Sequence, residues 1–348
     1  MPLVGLEPTT YSPEKQAFSA ERGNDSGTVT DAGKAGDLAQ DLKEPQRDGP
    51  ADSQLPSGGA PPSFAQQRLW FVDRLRPGSP AYHLPAALRL TGRLDAAVAE
   101  HSLREVVRRH EALRTVFRTV EGQLIQVVLP DVPCPLPIVD LSHLPPASRE
   151  AEAARRAAVE FRRAFDLERG PLLRAGLLRL AAEDHVLWLE VHHIACDGWS
   201  MGILFQDFAA VYAAFLRGEP SPLPPLPVRY ADYAAAQRAR MRGETLREHL
   251  AYWKHQLDGL PESLELPTDR PRPVKPAHRG GTRFFLLSTA LTEAMESLGR
   301  REMSWLFMTL LAGFQALLQR YTGQNDIAVG MHHGEASPGA MFSRPSAT

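Results

Sequence analysis

The chain has 348 residues, enough for two packed units, with 43% hydrophobic residues, 23% charged residues and a net charge of −2. That balance gives no ground for reading it as a binder of nucleic acid or of an anionic membrane. Its two cysteines, Cys134 and Cys196, lie far apart without a CxxC, so there is no disulfide framework or zinc site, as suits a reducing cytosol.

Residues 1–60 are rich in Gly, Pro, Ser, Asp and Glu and nearly free of aromatic residues. Such a stretch buries too little apolar surface to offset its ordering entropy, and it is expected to be a disordered leader. It also lacks the basic start and apolar core of a signal peptide. Order is expected from about Ser63. A strand at 87–90 leads to a helix over 95–110 carrying Val98, Leu103, Val106 and Val107. A strand at 123–129 and an Ala/Arg-rich helix at 148–165 follow.

Next comes the most informative stretch. The apolar, β-branched and aromatic run 186–191 reads as a strand, and His192-His193-Ile194-Ala195-Cys196-Asp197-Gly198 follows it. Strand alternation puts His193 with Leu187, Leu189 and Val191, and His192 with Trp188 and Glu190. One imidazole can then look into a cavity while the other is tied down behind it. Parity alone does not choose between them. Leu204, Phe208, Val211 and Phe215 fall at the spacing of one buried helical face, so a strand, a turn at Asp197-Gly198 and a packed helix form a rigid mount. An imidazole titrates near pH 6.5 on its own and is the natural group for moving a proton at a nucleophile.

Other chemistries fit these residues less well. Gly198-Trp199-Ser200-Met201-Gly202 has the GxSxG form of a hydrolase elbow, but no later strand–helix repeats deliver its acid and base. Neighbouring strand residues diverge, so the two histidines make a poor metal site. Cys196 reads as a small filler, and His332-His333 as a solvated loop.

The proline cluster 221–227 is a stiff connector and the expected boundary between lobes. Beyond it are expected one helix over 230–257, a Pro-rich crossing at 266–273, a strand at 283–287 and a helix at 291–299. A buried helix at 304–321 and a strand at 326–330 close the series. The apolar helix is too short and interrupted to span a bilayer. No membrane role is expected, and the setting is expected to be cytoplasmic. No phosphate loop or short repeat is seen. The class is α/β, in layered lobes.

Several separated motifs resemble the condensation domains of nonribosomal peptide synthetases, whose fold is like chloramphenicol acetyltransferase. Residues 63–71 look like that family's opening motif, 109–117 like its second, and the stretch through Ser200 like its third. Tyr230-Ala231-Asp232-Tyr233-Ala234 resembles the fourth, with Ala236 where tryptophan is usual. The resemblance runs from about residue 61 to Gly330. It implies two lobes, at 61–228 and 229–330, and amide bond formation between donor and acceptor thioesters on the phosphopantetheine arms of carrier proteins. No directly bound cofactor or metal is implied. By the same resemblance His193 is the central residue, with His192 beside it. Asp197 pairs with Arg109 to hold the loop, Gly198 allows the turn and close substrate approach, and Arg114 supports the site.

After Gly330 the sequence departs from the family's pattern, and residues 331–348 are expected to be a divergent tail. The second lobe is therefore expected to be incomplete. Two alternatives follow: a non-catalytic fragment or carrier-binding module, and an acyltransferase of the same fold using a CoA thioester.

Overall fold

The structure is a computed structural model that describes residues 5–9, 59–261, 263–271 and 285–330. These fall into two compact units, divided after Arg242.

The first unit is built on a five-stranded sheet. Its strands are β1 (Gly5–Thr9), β3 (His83–Thr91), β6 (Ile138–Asp140), β7 (Leu173–Ala181) and β8 (Asp184–His192), in the order β1-β3-β8-β7-β6. All neighbours are antiparallel except β6 with β7. Odd residues of β7 and β8 (Leu173, Leu177, Leu187, Leu189, Val191) face one core, shared with helices α2 (Ala96–Arg109) and α4 (Gly198–Leu216). Even residues (Leu178, Leu180, Trp188) face a second core under α3 (Pro146–Glu160). The period of two thus divides the sheet between two helical layers, the α/β layering expected from the sequence.

A smaller sheet has the order β2-β5-β4, from Gly59–Ala60, Gln123–Val128 and Thr115–Val120. Strands β4 and β5 are joined at Glu121-Gly122, where both residues take positive φ (49° and 77°), as a tight two-residue hairpin requires. Helix α1 (Phe64–Leu75) starts with a capping box: Ser63 Oγ accepts from Gln66 N–H while the Gln66 side chain accepts from Ser63 N–H.

Some expectations change. Within the leader, Gly5–Thr9 pairs with β3 from Thr91 to Ala87, so an otherwise open sheet edge gains a backbone partner. Residues 10–58 lie outside the described set, as do residues 331–348 with His332 and His333. The single helix over 230–257 is two, α5 (Tyr230–Arg240) and α6 (Gly243–Gln256), broken where Gly243 takes φ 56°. The boundary expected at 228 falls after Arg242, because α5 is clasped by the first unit. Ser63 Oγ lies 2.9 Å from Tyr230 OH, and Phe64 N–H donates to Gln237 Oε1 at 3.0 Å. Arg238 Nε donates to Pro62 O at 2.9 Å.

The second unit carries α6, α7 (Thr289–Arg301) and α8 (Leu306–Thr322). Helix α8, expected to be buried, has no buried residue, and within this unit it packs chiefly on α7. Residues 326–330 form no strand, since the described residues of this unit offer no strand to pair with. Residues 285–287 are also irregular, and 283–284 lie outside the described set.

Candidate functional site at the end of strand β8

Strand β8 ends at His192, and its exit is held by backbone bonds. His192 N–H donates to Leu172 O at 3.0 Å and His193 N–H to Tyr82 O at 2.8 Å. Ala195 N–H donates back to His192 O at 2.9 Å, closing the turn. The two histidines differ in burial. His192 is buried at 2% exposure, and its Nδ1 accepts the Ile194 N–H at 3.1 Å. That bond fixes the tautomer with hydrogen on Nε2. Burial, with smaller contributions from His83 and His193, pushes the His192 pKa down to about 3. His192 is thus neutral and committed at pH 7. His193 is half-buried at the point where the chain leaves the sheet.

Asp197 is the N-cap of α4. Its Oδ1 accepts from Ser200 N–H at 2.7 Å and from Ser200 Oγ at 2.5 Å. This overturns the expected Asp197–Arg109 pair. Arg109 instead lies with Nε 3.3 Å from Asp207 Oδ2 and donates through Nη1 to Pro224 O. His110, fully buried, meets the same Asp207 oxygen at 2.9 Å through Nε2. Both residues therefore clamp the end of α2 to the middle of α4. Ser200 is no nucleophile elbow: it is the third residue of α4 and its hydroxyl donates to Asp197.

Gly198 is exposed, and a Cβ built on it would meet nothing within 4 Å. Its φ is not in the left-handed region, so the turn does not need glycine. Arg114 donates to Leu129 O and lies 3.5 Å from Glu111 Oε1, tying the end of β5 to the turn after α2. Arg109 and Arg114 together line a cavity of about 720 Å³ beside Leu223, Pro225 and Tyr230. The structure thus gathers His192, His193, Asp197 and Gly198 at one strand–helix junction and places both arginines in supporting clamps.

Two thiols are buried and free. Burial raises Cys134 to about 12 and Cys196 further still, so neither is set up as a nucleophile. Among the described residues no group of three His, Cys, Asp or Glu side chains gathers to hold a metal ion.

Sequence reasoning missed His83, Arg174 and Asp207. Glu190 is fully buried, with Oε1 2.9 Å from His83 Nδ1 and Oε2 accepting from Arg174 Nη2 at 2.6 Å. The available signals were a glutamate inside an apolar strand and an aspartate three residues after Leu204 on the buried face of α4. Neither can be buried without a partner.

A family model described as "Condensation domain" matches residues 57–336. One of the proteins that make up the linear gramicidin synthase of Brevibacillus parabrevis is 48% identical over 270 residues, which are 78% of this chain and 4% of that protein. Among solved structures, the X-domain and OxyB complex from teicoplanin biosynthesis contains a chain 31% identical, with a TM-score of 0.66, covering 77% of this chain and 58% of that one. The first condensation domain of the CDA synthetase is 26% identical with a TM-score of 0.63, covering 78% of this chain and 64% of that one. The chain therefore spans a small part of the synthetase it matches and about three-fifths of the solved chains.

Proposed function

The chain belongs to the condensation-domain family of nonribosomal peptide synthetases, and on that footing we propose that it joins two carrier-bound thioester substrates through an amide bond. The observation that carries the reading is the division of labour between the two histidines. His192 is locked, neutral and buried, which leaves His193, half-buried at the strand exit, as the group able to meet a substrate.

The acceptor amine nitrogen attacks the donor carbonyl carbon. The C–N bond forms, the C–S bond breaks, and the donor's thiol leaves with a proton. His193 holds the amine and draws its proton as attack proceeds, an effect worth about 10²–10⁴ in rate. Gly198 leaves room for the acceptor to approach. Alignment of the two reactants supplies roughly 7–11 kcal/mol. Both substrates arrive on phosphopantetheine arms of donor and acceptor carrier proteins, so the chain itself needs no resident cofactor. A cytosolic setting accords with its two free thiols.

The test is product formation from donor-loaded and acceptor-loaded carriers, comparing wild type with His193→Ala. A loss of about 10²–10⁴ supports the reading, and an unchanged rate removes His193 from the chemistry. Replacing the donor carrier by an acyl-CoA separates the carrier-dependent reaction from a free-thioester acyltransferase of the same fold. A second reading, a partner-binding module without turnover, draws on the relative found in complex with OxyB. A folded chain that binds a loaded carrier and makes no product would favour that reading.

A further inference from the structure

We propose that Glu190, braced by His83 and Arg174, is a positioning residue for His193; the proposal rests on the reaction inferred above. Glu190 sits on β8 directly opposite Arg174 of β7 and diagonal to His83 of β3, since Pro85 is its partner on that strand. Its two oxygens serve different strands, Oε1 meeting His83 Nδ1 at 2.9 Å and Oε2 meeting Arg174 Nη2 at 2.6 Å. One side chain therefore ties three adjacent strands at the edge where His193 leaves the sheet. The brace is sealed: His83 and Glu190 side chains are 3% and 0% exposed. The Arg174 guanidinium lies 4.1 Å over Phe165, whose ring meets His83 and His192 edge-on at 4.8 and 5.8 Å.

Two short links lead from the brace to His193. His83 follows Tyr82, whose carbonyl accepts the His193 N–H at 2.8 Å. His83 is also the cross-strand partner of His192. Opposed and diagonal pairs are the units that set local sheet geometry.

Stability alone does not account for such a cluster. A buried carboxylate bridging two cationic or polar groups loses to desolvation about what it gains, and apolar side chains of similar volume hold strands as well or better. What directed bonds add is a fixed backbone at the strand exit. A reacting group misplaced by about 1 Å can lose on the order of 10²-fold in rate.

The experiment pairs steady-state kinetics on carrier-bound substrates with amide exchange at His193 measured by NMR. Glu190→Gln is expected to lower kcat by roughly 10- to 100-fold while leaving KM for the acceptor carrier within about twofold. Exchange of the His193 amide is expected to quicken by about tenfold or more, with Leu187 and Leu189 amides still protected. Because Glu190→Gln strands Arg174 without its counter-ion, a second variant guards against simple unfolding. The triple change His83→Leu, Glu190→Leu, Arg174→Met removes the charges of the brace, and it is expected to melt no earlier than wild type yet show both losses. A folded triple variant lacking either loss overturns the proposal. If wild type itself forms no product, the reaction falls and the exchange measurement alone decides the brace.

Discussion

Helices α4 and α8 are both long and apolar, yet they differ in what covers them. Helix α4 buries Leu204, Phe208, Val211 and Ala214, while α8 buries nothing and leaves Phe307 and Phe314 at 53% and 48% exposure. Helical periodicity reports which stripe of a helix is apolar, and it is silent on whether a facing surface exists. For α4 that surface is the odd face of β7 and β8 together with α2. Helix α4 is also long and apolar enough to cross a membrane, but its apolar stripe lies in a protein core.

The largest test of this contrast uses one residue type in both helices. Phe208→Ala, at 4% exposure, is expected to cost about 3–5 kcal/mol, and Phe314→Ala about 1 kcal/mol or less, by urea unfolding. Equal losses would mean that α8 is as well packed as α4. Glycines sharpen the same contrast. A Cβ at Gly176 of β7 would lie 2.5 Å from the Trp188 ring, whereas at Gly313 of α8 it would meet nothing within 4 Å. Gly176→Ala is expected to destabilise by about 1–3 kcal/mol, as overpacking does. Gly313→Ala is expected to stabilise by up to about 1 kcal/mol through helix propensity. Melting temperatures that moved in the same direction would break the comparison.

The same difference explains how much could be read in advance. Helices α2 and α4 were legible because each buries one face and so carries a helical period, and strand β8 because its run 186–191 is rich in β-branched and aromatic residues. Strand β7 was not, because Leu173 to Ala181 is covered on both faces and shows no alternation to find. His192, Trp188 and Glu190 are all buried, and that they share a side of β8 followed from parity. The partners of Arg109 did not, because its approach to Asp207 joins positions far apart in the chain, which only tertiary packing brings together. The motifs at 63–71 and 230–234 show the same limit. Each is recognisable alone, but the bond between Ser63 and Tyr230 is a fact of the fold.

Acid stability tests the buried side of the site. The folded His192 pKa of about 3 lies below the usual value near 6.5, so the unfolded chain binds the extra proton between these pH values. Stability from His192 is therefore complete above about pH 6.5 and falls as pH drops, by at most about 1.4 kcal/mol per pH unit. His185, also lowered by burial, adds in the same direction. His192→Asn keeps an acceptor for the Ile194 N–H and cannot titrate. It is expected to flatten the acid limb of unfolding free energy against pH, and an unchanged limb would place the proton elsewhere.

The smallest effect separates two accounts of the same aspartate. If Asp197 acts as the cap seen here, Asp197→Ala costs about 1 kcal/mol through the lost bonds to Ser200. Asp197→Asn, still a good capping residue, should recover most of that. If instead Asp197 were held by Arg109, the two positions would couple. A double-mutant cycle with Arg109→Ala is expected to be additive within about 0.5 kcal/mol, because Arg109 belongs to Asp207. Coupling should appear in the Arg109–Asp207 cycle instead. An Asp197→Asn variant that is stable but slow would show that the carboxylate charge, beyond its capping bond, acts on the substrate.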